Sequence, residues 1–444
     1  MTPLEITWTW TDAPTDPDER TATRAELELR IGADPLTLVE DTAGGYRRTV
    51  TRSLYPLAEW IARNWWTLVA DARPGSCLPQ LRKTFAPSIG VTRNPWRVRS
   101  DRHAVRAGVG QEHYPDLLIV TEDELTRLNW QRDAEFADAT GERFLSSGES
   151  LVDSEALAAT LSGLVDAVIE RLADRGVRSG LPGLWAGVRD ADPERAALCR
   201  ATAWLGLDPH TAEPEVAGTI RSVYERMDKQ LAVDFLNAIR PNLVETGLDW
   251  VDEARSVAAG VATVAGSESA RLADLREHLS TAKPMESGPP HLRGFDLAKH
   301  VRAWARLADT EPFDPGFLVR YRTLPMPDPG VVAYVSQAGA APTVVATRHM
   351  PDVSYRFLQA RALWHILTED DDEFLITATH TGRQHAARAF SLELIAPARG
   401  IAEHLGSPNE LISSEDLSAI SMHYVTGDIV VEHQLDNQVL SEGF

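Results

Sequence analysis

Cysteine is nearly absent: the 444 residues include two, Cys77 and Cys199. Two distant cysteines make no zinc knuckle, no CxxC redox pair and no disulfide framework. Long hydrophobic runs are missing as well, and no apolar stretch approaches the roughly 20 residues of a transmembrane helix. The opening Met1-Thr2-Pro3-Leu4-Glu5 has no basic stretch leading into an apolar one, so no secretory leader is expected. Cations are in deficit: 44 Lys and Arg against 65 Asp and Glu leave a net charge of −21. Lysine occurs only at Lys83, Lys229, Lys283 and Lys299. Non-specific nucleic-acid affinity comes mostly from cations meeting phosphates, so coating of DNA or RNA is disfavoured. An anionic membrane surface would repel the chain too. The expectation is a soluble, cytoplasmic protein without a membrane partner. There is also no G-x-S-x-G, no Walker A loop and no complete GxGxxG; Gly108-Val109-Gly110 is only a fragment.

What remains is ordinary globular composition, with 43% apolar and 25% charged residues. At about 100–200 residues per domain, two or three domains are expected. The pattern reads as α+β in three parts: a β-rich segment over 1–150, a helical one over 151–285, and an α+β one over 291–444. Ile6, Trp8 and Trp10 alternate with threonines, and Ala25, Leu27, Leu29 and Ile31 repeat the period of a half-buried strand. Leu57, Trp60, Ile61, Trp65 and Leu68 follow helical spacing behind Pro56. Leu117–Val120 reads as a buried strand. Leu157, Leu161, Leu164, Val165 and Val168 form one helical stripe. Helices continue over 194–205, 214–240 and 246–280. Lys283-Pro284-Met285-Glu286-Ser287-Gly288-Pro289-Pro290 reads as a linker, because its prolines and glycine cannot continue a helix. Beyond it, helices are expected over 293–307, 354–367, 383–396 and 414–425.

The last third carries a resemblance. Its first helix reads Gly294-Phe295-Asp296-Leu297-Ala298-Lys299-His300-Val301-Arg302. A later stretch reads Arg356-Phe357-Leu358-Gln359-Ala360-Arg361-Ala362-Leu363-Trp364-His365-Ile366-Leu367, and another Ala387-Arg388-Ala389-Phe390-Ser391-Leu392-Glu393-Leu394-Ile395-Ala396-Pro397. In this order, and with the closing 415–421 and 430–437 segments, they resemble the ImmA/IrrE-type metallopeptidase family over about 294–437. The resemblance implies a zincin-like fold for this region. It also implies a setting of stress response, mobile-element control or phage defence, in which active members cleave repressors.

The family's HExxH motif places two histidines on one helix face to grip Zn²⁺, with a glutamate to activate the metal-bound water. Here the first histidine position is Arg361, the glutamate position is Ala362, and only His365 remains. The family's third ligand is acidic, but Gly382-Arg383-Gln384-His385-Ala386 supplies no carboxylate. A catalytic zinc needs three protein ligands and an open position. The expectation is therefore a pseudo-metallopeptidase without a cofactor that senses or regulates by contacting a protein partner, such as a repressor-like regulator. The competing reading is an active zinc peptidase with a site rebuilt from His365, His380 and His385. His380 and His385 are five apart, which rotates them by roughly 140° on a helix. Glu369-Asp370-Asp371-Asp372-Glu373 reads as a solvated loop between helices.

Three further features bear on partners. Phe357, Ala360, Trp364 and Leu367 recur at helical spacing, which makes this helix a core element; alternatively Arg361 and His365 line a pocket for an anion or peptide carboxylate. Arg93, Arg97, Arg99, Arg102 and Arg106, interleaved with Trp96 and His103, form the only basic stripe, with Arg97 and Arg99 as possible phosphate contacts in a nucleic-acid-associated regulator. The helix-turn-helix texture of 414–437 carries no Lys or Arg and does not suit a DNA duplex.

Overall fold

The structure is a computed structural model that describes residues 3–12, 17–72, 99, 101–109, 112–122, 124–137, 140–261, 267–328, 330–338, 341–406 and 412–439. Contacts divide the chain into two units, Met1–Ser222 with Thr379–Thr381, and Val223–Ala378 with Gly382–Phe444. Both mix helix and strand.

In the first unit, strand β1 (Leu4–Trp10) pairs antiparallel with β2 (Arg24–Ile31), which also pairs with the short β3 (Asp34–Pro35) and with β6 (Val50–Ser53). Between them, β4 (Val39–Asp41) joins β5 (Tyr46–Arg47) and β9 (Glu142–Phe144) in a second sheet. A third sheet has the order β10–β8–β7, from β7 (Asp116–Glu122), β8 (Leu125–Gln131) and β10 (Gly148–Asp153). Ala25, Leu27, Leu29 and Ile31 are all buried, whereas Ile6, Trp8 and Trp10 are only partly so. Helix α1 (Tyr55–Ala70) starts on Pro56 and buries Leu57, Trp60, Ile61 and Leu68. Trp65 meets Trp185 edge to face at 5.0 Å.

The expected break between a β-rich 1–150 and a helical 151–285 segment does not divide the chain. Helix α2 (Ser154–Asp174) carries the Leu157–Val168 stripe, and that stripe joins Leu27, Leu29 and Trp60 in one core. Helices α3 (Leu181–Arg189) and α4 (Pro193–Trp204) add Trp185, Val188 and Ala203 to it. The division falls instead inside α5 (Glu215–Arg226).

The second unit begins with α6 (Lys229–Ala238), α7 (Val244–Val261), α8 (Glu268–Ala282) and α9 (Pro290–Ala305). The proline-rich segment before α9 is not a domain linker. Leu272, Leu275 and Leu279 on one side of it share a core with Leu297 and Val301 on the other. A four-stranded sheet follows in the order β11–β13–β12–β14, built from β11 (Arg320–Thr323), β12 (Val331–Ser336), β13 (Thr343–Ala346) and β14 (Glu373–Thr377). Only the β11–β13 pair is parallel. Helix α10 (Asp352–Thr368) precedes β14 and α11 (Gly382–Ile395) follows it. Helices α12 (Ala398–Leu405), α13 (Ser414–Tyr424) and α14 (Asp428–Gln434) close the unit around Ile401, Tyr424 and Val431. Strand β14 has no counterpart among the expected elements. Its core is Phe374-Leu375-Ile376, a run too short to show a period.

Helices α9 and α11 touch backbone to backbone at Gly294. A Cβ there would lie 2.5 Å from the Ala386 carbonyl oxygen and 2.7 Å from the Phe390 nitrogen. Gly163, in the middle of α2, has open space around its would-be Cβ. Gly294→Ala should therefore destabilise the second unit by about 1–3 kcal/mol through overpacking. Gly163→Ala should stabilise the first unit by up to about 1 kcal/mol through helix propensity. Thermal unfolding of both variants checks the pair, and equal shifts would contradict the close approach.

Candidate functional site

Helix α10 is buried on almost every side, with all residues from Leu358 to Ile366 inside the protein. The expected Phe357–Ala360–Trp364–Leu367 stripe is therefore only part of its contact surface. Trp364 packs against Phe390 of α11, with ring centroids 5.8 Å apart. A helix enclosed in this way must satisfy any polar group it carries from within the protein.

Arg361 is 5% exposed. Its Nη2 donates to the Thr377 carbonyl at 2.9 Å and to Gln384 Oε1 at 2.6 Å. Gln384 is fully buried and holds the junction from the other side. Its Oε1 also accepts from the Thr377 nitrogen at 3.1 Å, and its Nε2 donates to the Leu375 carbonyl at 2.7 Å. Arg388 Nη2 reaches the same Thr377 carbonyl at 3.1 Å. Burial, then the nearby Arg388, pull the Arg361 pKa well below the ordinary arginine value, and Asp234 opposes them. The guanidinium is thus a bracket between α10, the end of β14 and the start of α11.

One turn further on, His365 is fully buried and stacks on Phe374 at 5.8 Å. Its Nδ1 lies 2.6 Å from Glu369 Oε1. Burial lowers the His365 pKa despite the attraction of Glu369. The neutral ring then donates Nδ1–H to the carboxylate. Its Nε2 is buried with no hydrogen-bond partner among the described residues. Glu369 is also paired with Arg383, which lies 3.3 Å from the buried Asp234 of α6. Burial alone would raise the Glu369 carboxyl; His365 and Arg383 outweigh it and hold it below the usual glutamate value. His365, Glu369, Arg383 and Asp234 thus form one continuous polar chain.

These residues do not fit a catalytic zinc. Where the resemblance would put a first ligand there is a buried cation, where it would put the base there is Ala362, and where it would put the third ligand there are Arg383 and Gln384, both engaged in the protein. His385 stands beside His291, their ring centroids 6.0 Å apart. His380 lies in the Thr379–Thr381 stretch that groups with the first unit. Among the described residues no three His, Cys, Asp or Glu side chains are grouped to hold a metal ion. The Nη2 of Arg361 is committed to Thr377 and Gln384, not free for an external anion. The acidic run is likewise only partly a solvated loop. Asp370–Asp372 are exposed, but Glu369 belongs to the polar chain and Glu373 opens β14, paired with Arg255 at 2.9 Å.

In the first unit, Arg99 of the basic stripe turns inward. Arg99 is 5% exposed and holds the buried Asp71 through Nε at 2.7 Å and through Nη2, which also reaches the Trp204 carbonyl at 3.0 Å. His103 Nε2 lies 3.3 Å from the same Asp71. Arg106 pairs with Asp133 at 2.6 Å. Arg99 is therefore a core ion-pair residue and not a phosphate contact. Arg93, Trp96, Arg97 and Cys77 lie outside the described residues.

Glu369, Gln384 and Asp234 went unrecognised in the sequence. Glu369 had a usable signal, since it stands four residues after His365 on one helix face. Gln384 and Asp234 had none, being 23 and 127 residues from the groups they complement or adjoin on α10 (384 − 361 and 361 − 234). No protein-family model, curated protein or solved structure matches this chain.

Two outcomes follow from this geometry. Gln384→Leu should cost about 3 kcal/mol, because it strips a buried guanidinium of a partner. Arg361→Met should cost much less, since Thr377 keeps Arg388 as a donor, and adding it to Gln384→Leu should recover part of the loss. Strictly additive losses in that double-mutant cycle would refute the bracket. The pH dependence has a definite sign. Both His365 and Glu369 bind protons less readily when folded. The unfolded chain takes up more protons below the ordinary histidine and glutamate values, so stability is present above them and is lost on acidification. Tm should fall from pH 7 to pH 4. His365→Phe should flatten the upper part of that fall, and an unchanged slope would show that His365 does not contribute.

Proposed function

We propose that this chain is a catalytically inert, ImmA/IrrE-like protein that works as a sensor or regulator by contacting a protein partner. The observation that carries the reading is Arg361, a buried and internally bonded arginine at the position where a metallopeptidase needs its first zinc ligand. Ala362 removes the general base, and the single histidine left is tied to Glu369. The resemblance supplies the setting, which is stress response, mobile-element control or phage defence, with a repressor-like regulator as the partner.

Exposed side chains support a protein partner. Met422 and Ile429 are 73% and 63% exposed, and Val425 between them is exposed too. Three exposed large apolar residues within eight positions of the sequence favour a contact surface over scattered single ones. Asp428 and Glu432 flank them, and the sequence has no Lys or Arg after Arg399. That charge does not suit DNA. No helix among the described residues is long and apolar enough to cross a membrane. The proposed setting is the cytoplasm.

The second reading, a zinc peptidase with a rearranged site, rests on the unpaired Nε2 of His365. Purified protein separates the two. The inert reading predicts no stoichiometric zinc in a calorimetric titration and no peptide hydrolysis. Zinc at one per chain, with hydrolysis abolished by His365→Ala, would replace it with the second reading.

A further inference from the structure

A cleft of 730 Å³ opens within the second unit, beside α10. That volume is within the about 300–1,000 Å³ typical of ligand sites. Leu279, Leu297, Trp364 and Leu367 give it an apolar floor. Glu286, Asp370 and Asp371, all exposed, stand at its edge. Glu369 and Arg383 also line it, but they are paired with each other. Arg293 is the remaining cation of the lining. Three carboxylates therefore face one guanidinium over a hydrophobic base. Burial, and then Asp228 and Glu369, raise the Asp371 carboxyl above its usual value against the pull of Arg383.

An apolar floor with an anionic edge complements a side chain that has an alkyl shaft and a cationic head. Lysine and arginine have this form, and such side chains lay their stems on apolar surface while the charge stays at the rim. Opposite charges on the two partners add association rate and discriminate against acidic competitors. We propose that this cleft binds a basic peptide segment of the partner protein, with apolar shafts on Leu279, Leu297 and Trp364 and cationic heads at Glu286, Asp370 and Asp371. The inference rests on the protein-binding reading above and adds the chemistry of what is bound. It places recognition beside the polar chain of His365, Glu369 and Arg383. Glu369 links the two, being both a cleft residue and the acceptor of His365.

The test is fluorescence anisotropy with the full-length protein and three labelled nonapeptides, alternating leucine with arginine, with glutamine or with glutamate. The arginine peptide should bind most tightly, and the glutamate peptide should not bind. Asp370→Asn with Asp371→Asn should weaken the arginine peptide about fivefold, the size expected for two partly screened rim charges. Glu245→Gln with Glu253→Gln, both exposed on α7 and outside the cleft lining, removes the same charge elsewhere in the unit and should leave affinity unchanged. Arg293→Gln should tighten binding. Equal affinity for the arginine and glutamine peptides, or equal weakening by the two double variants, overturns the assignment. So does failure of the arginine peptide to bind at all. None of these outcomes touches the absence of hydrolysis, whereas zinc-dependent cleavage of a peptide would overturn the inert reading and not the cleft.

Discussion

One buried cation constrains the second unit. Arg361 sits on a helix with no solvent-facing side over the turns that matter, and a guanidinium there is tolerable only if its surroundings are fixed. Removing partners from a buried charge costs several kcal/mol, an appreciable fraction of the stability of a whole domain. The end of β14 must therefore present the Thr377 carbonyl, and the start of α11 must present Gln384. The close approach of α9 to α11 at Gly294 then sets the opposite wall. Under the proposed reading the same residue stands where a zinc ligand is needed, and a positive group there repels a divalent cation and cannot donate a lone pair to it.

The polar chain next to it uses a different economy of charge. His365 stays neutral because it is buried, Glu369 stays ionised because Arg383 and His365 face it, and Asp234 completes the line from α6. Each member is oriented by the next. In an active zinc enzyme a carboxylate beside a histidine orients that ligand toward the metal. Here the carboxylate leads instead to an arginine and to a cleft with an acidic edge. The buried charges of this helix therefore serve cohesion.

Local periodicity made much of this legible. The helices expected over 354–367, 383–396 and 414–425 appear as Asp352–Thr368, Gly382–Ile395 and Ser414–Tyr424. The helix that carries Arg361, Ala362 and His365 is legible from spacing, and their motif positions come only from the resemblance. Long-range pairings were not legible. Arg99 reads from the sequence as a possible phosphate contact, but Asp71, 28 residues away, draws it into the core. The apolar core of strand β14 is three residues set between an acidic loop and threonines, too brief for any pattern to mark. The contact units divide the chain elsewhere than the expected boundaries for a related reason. Proline and glycine report where a helix stops, not whether the helices on either side share a core, as Leu275 and Leu297 do.

The claim that Arg361 has replaced a metal ligand is tested most directly by anomalous diffraction at the zinc edge from crystals grown with zinc chloride. The account predicts no anomalous peak within bonding distance of His365 Nε2, and density for the Arg361 guanidinium running to Thr377 and Gln384. A strong peak on His365, with Arg361 swung away from Gln384, would contradict it.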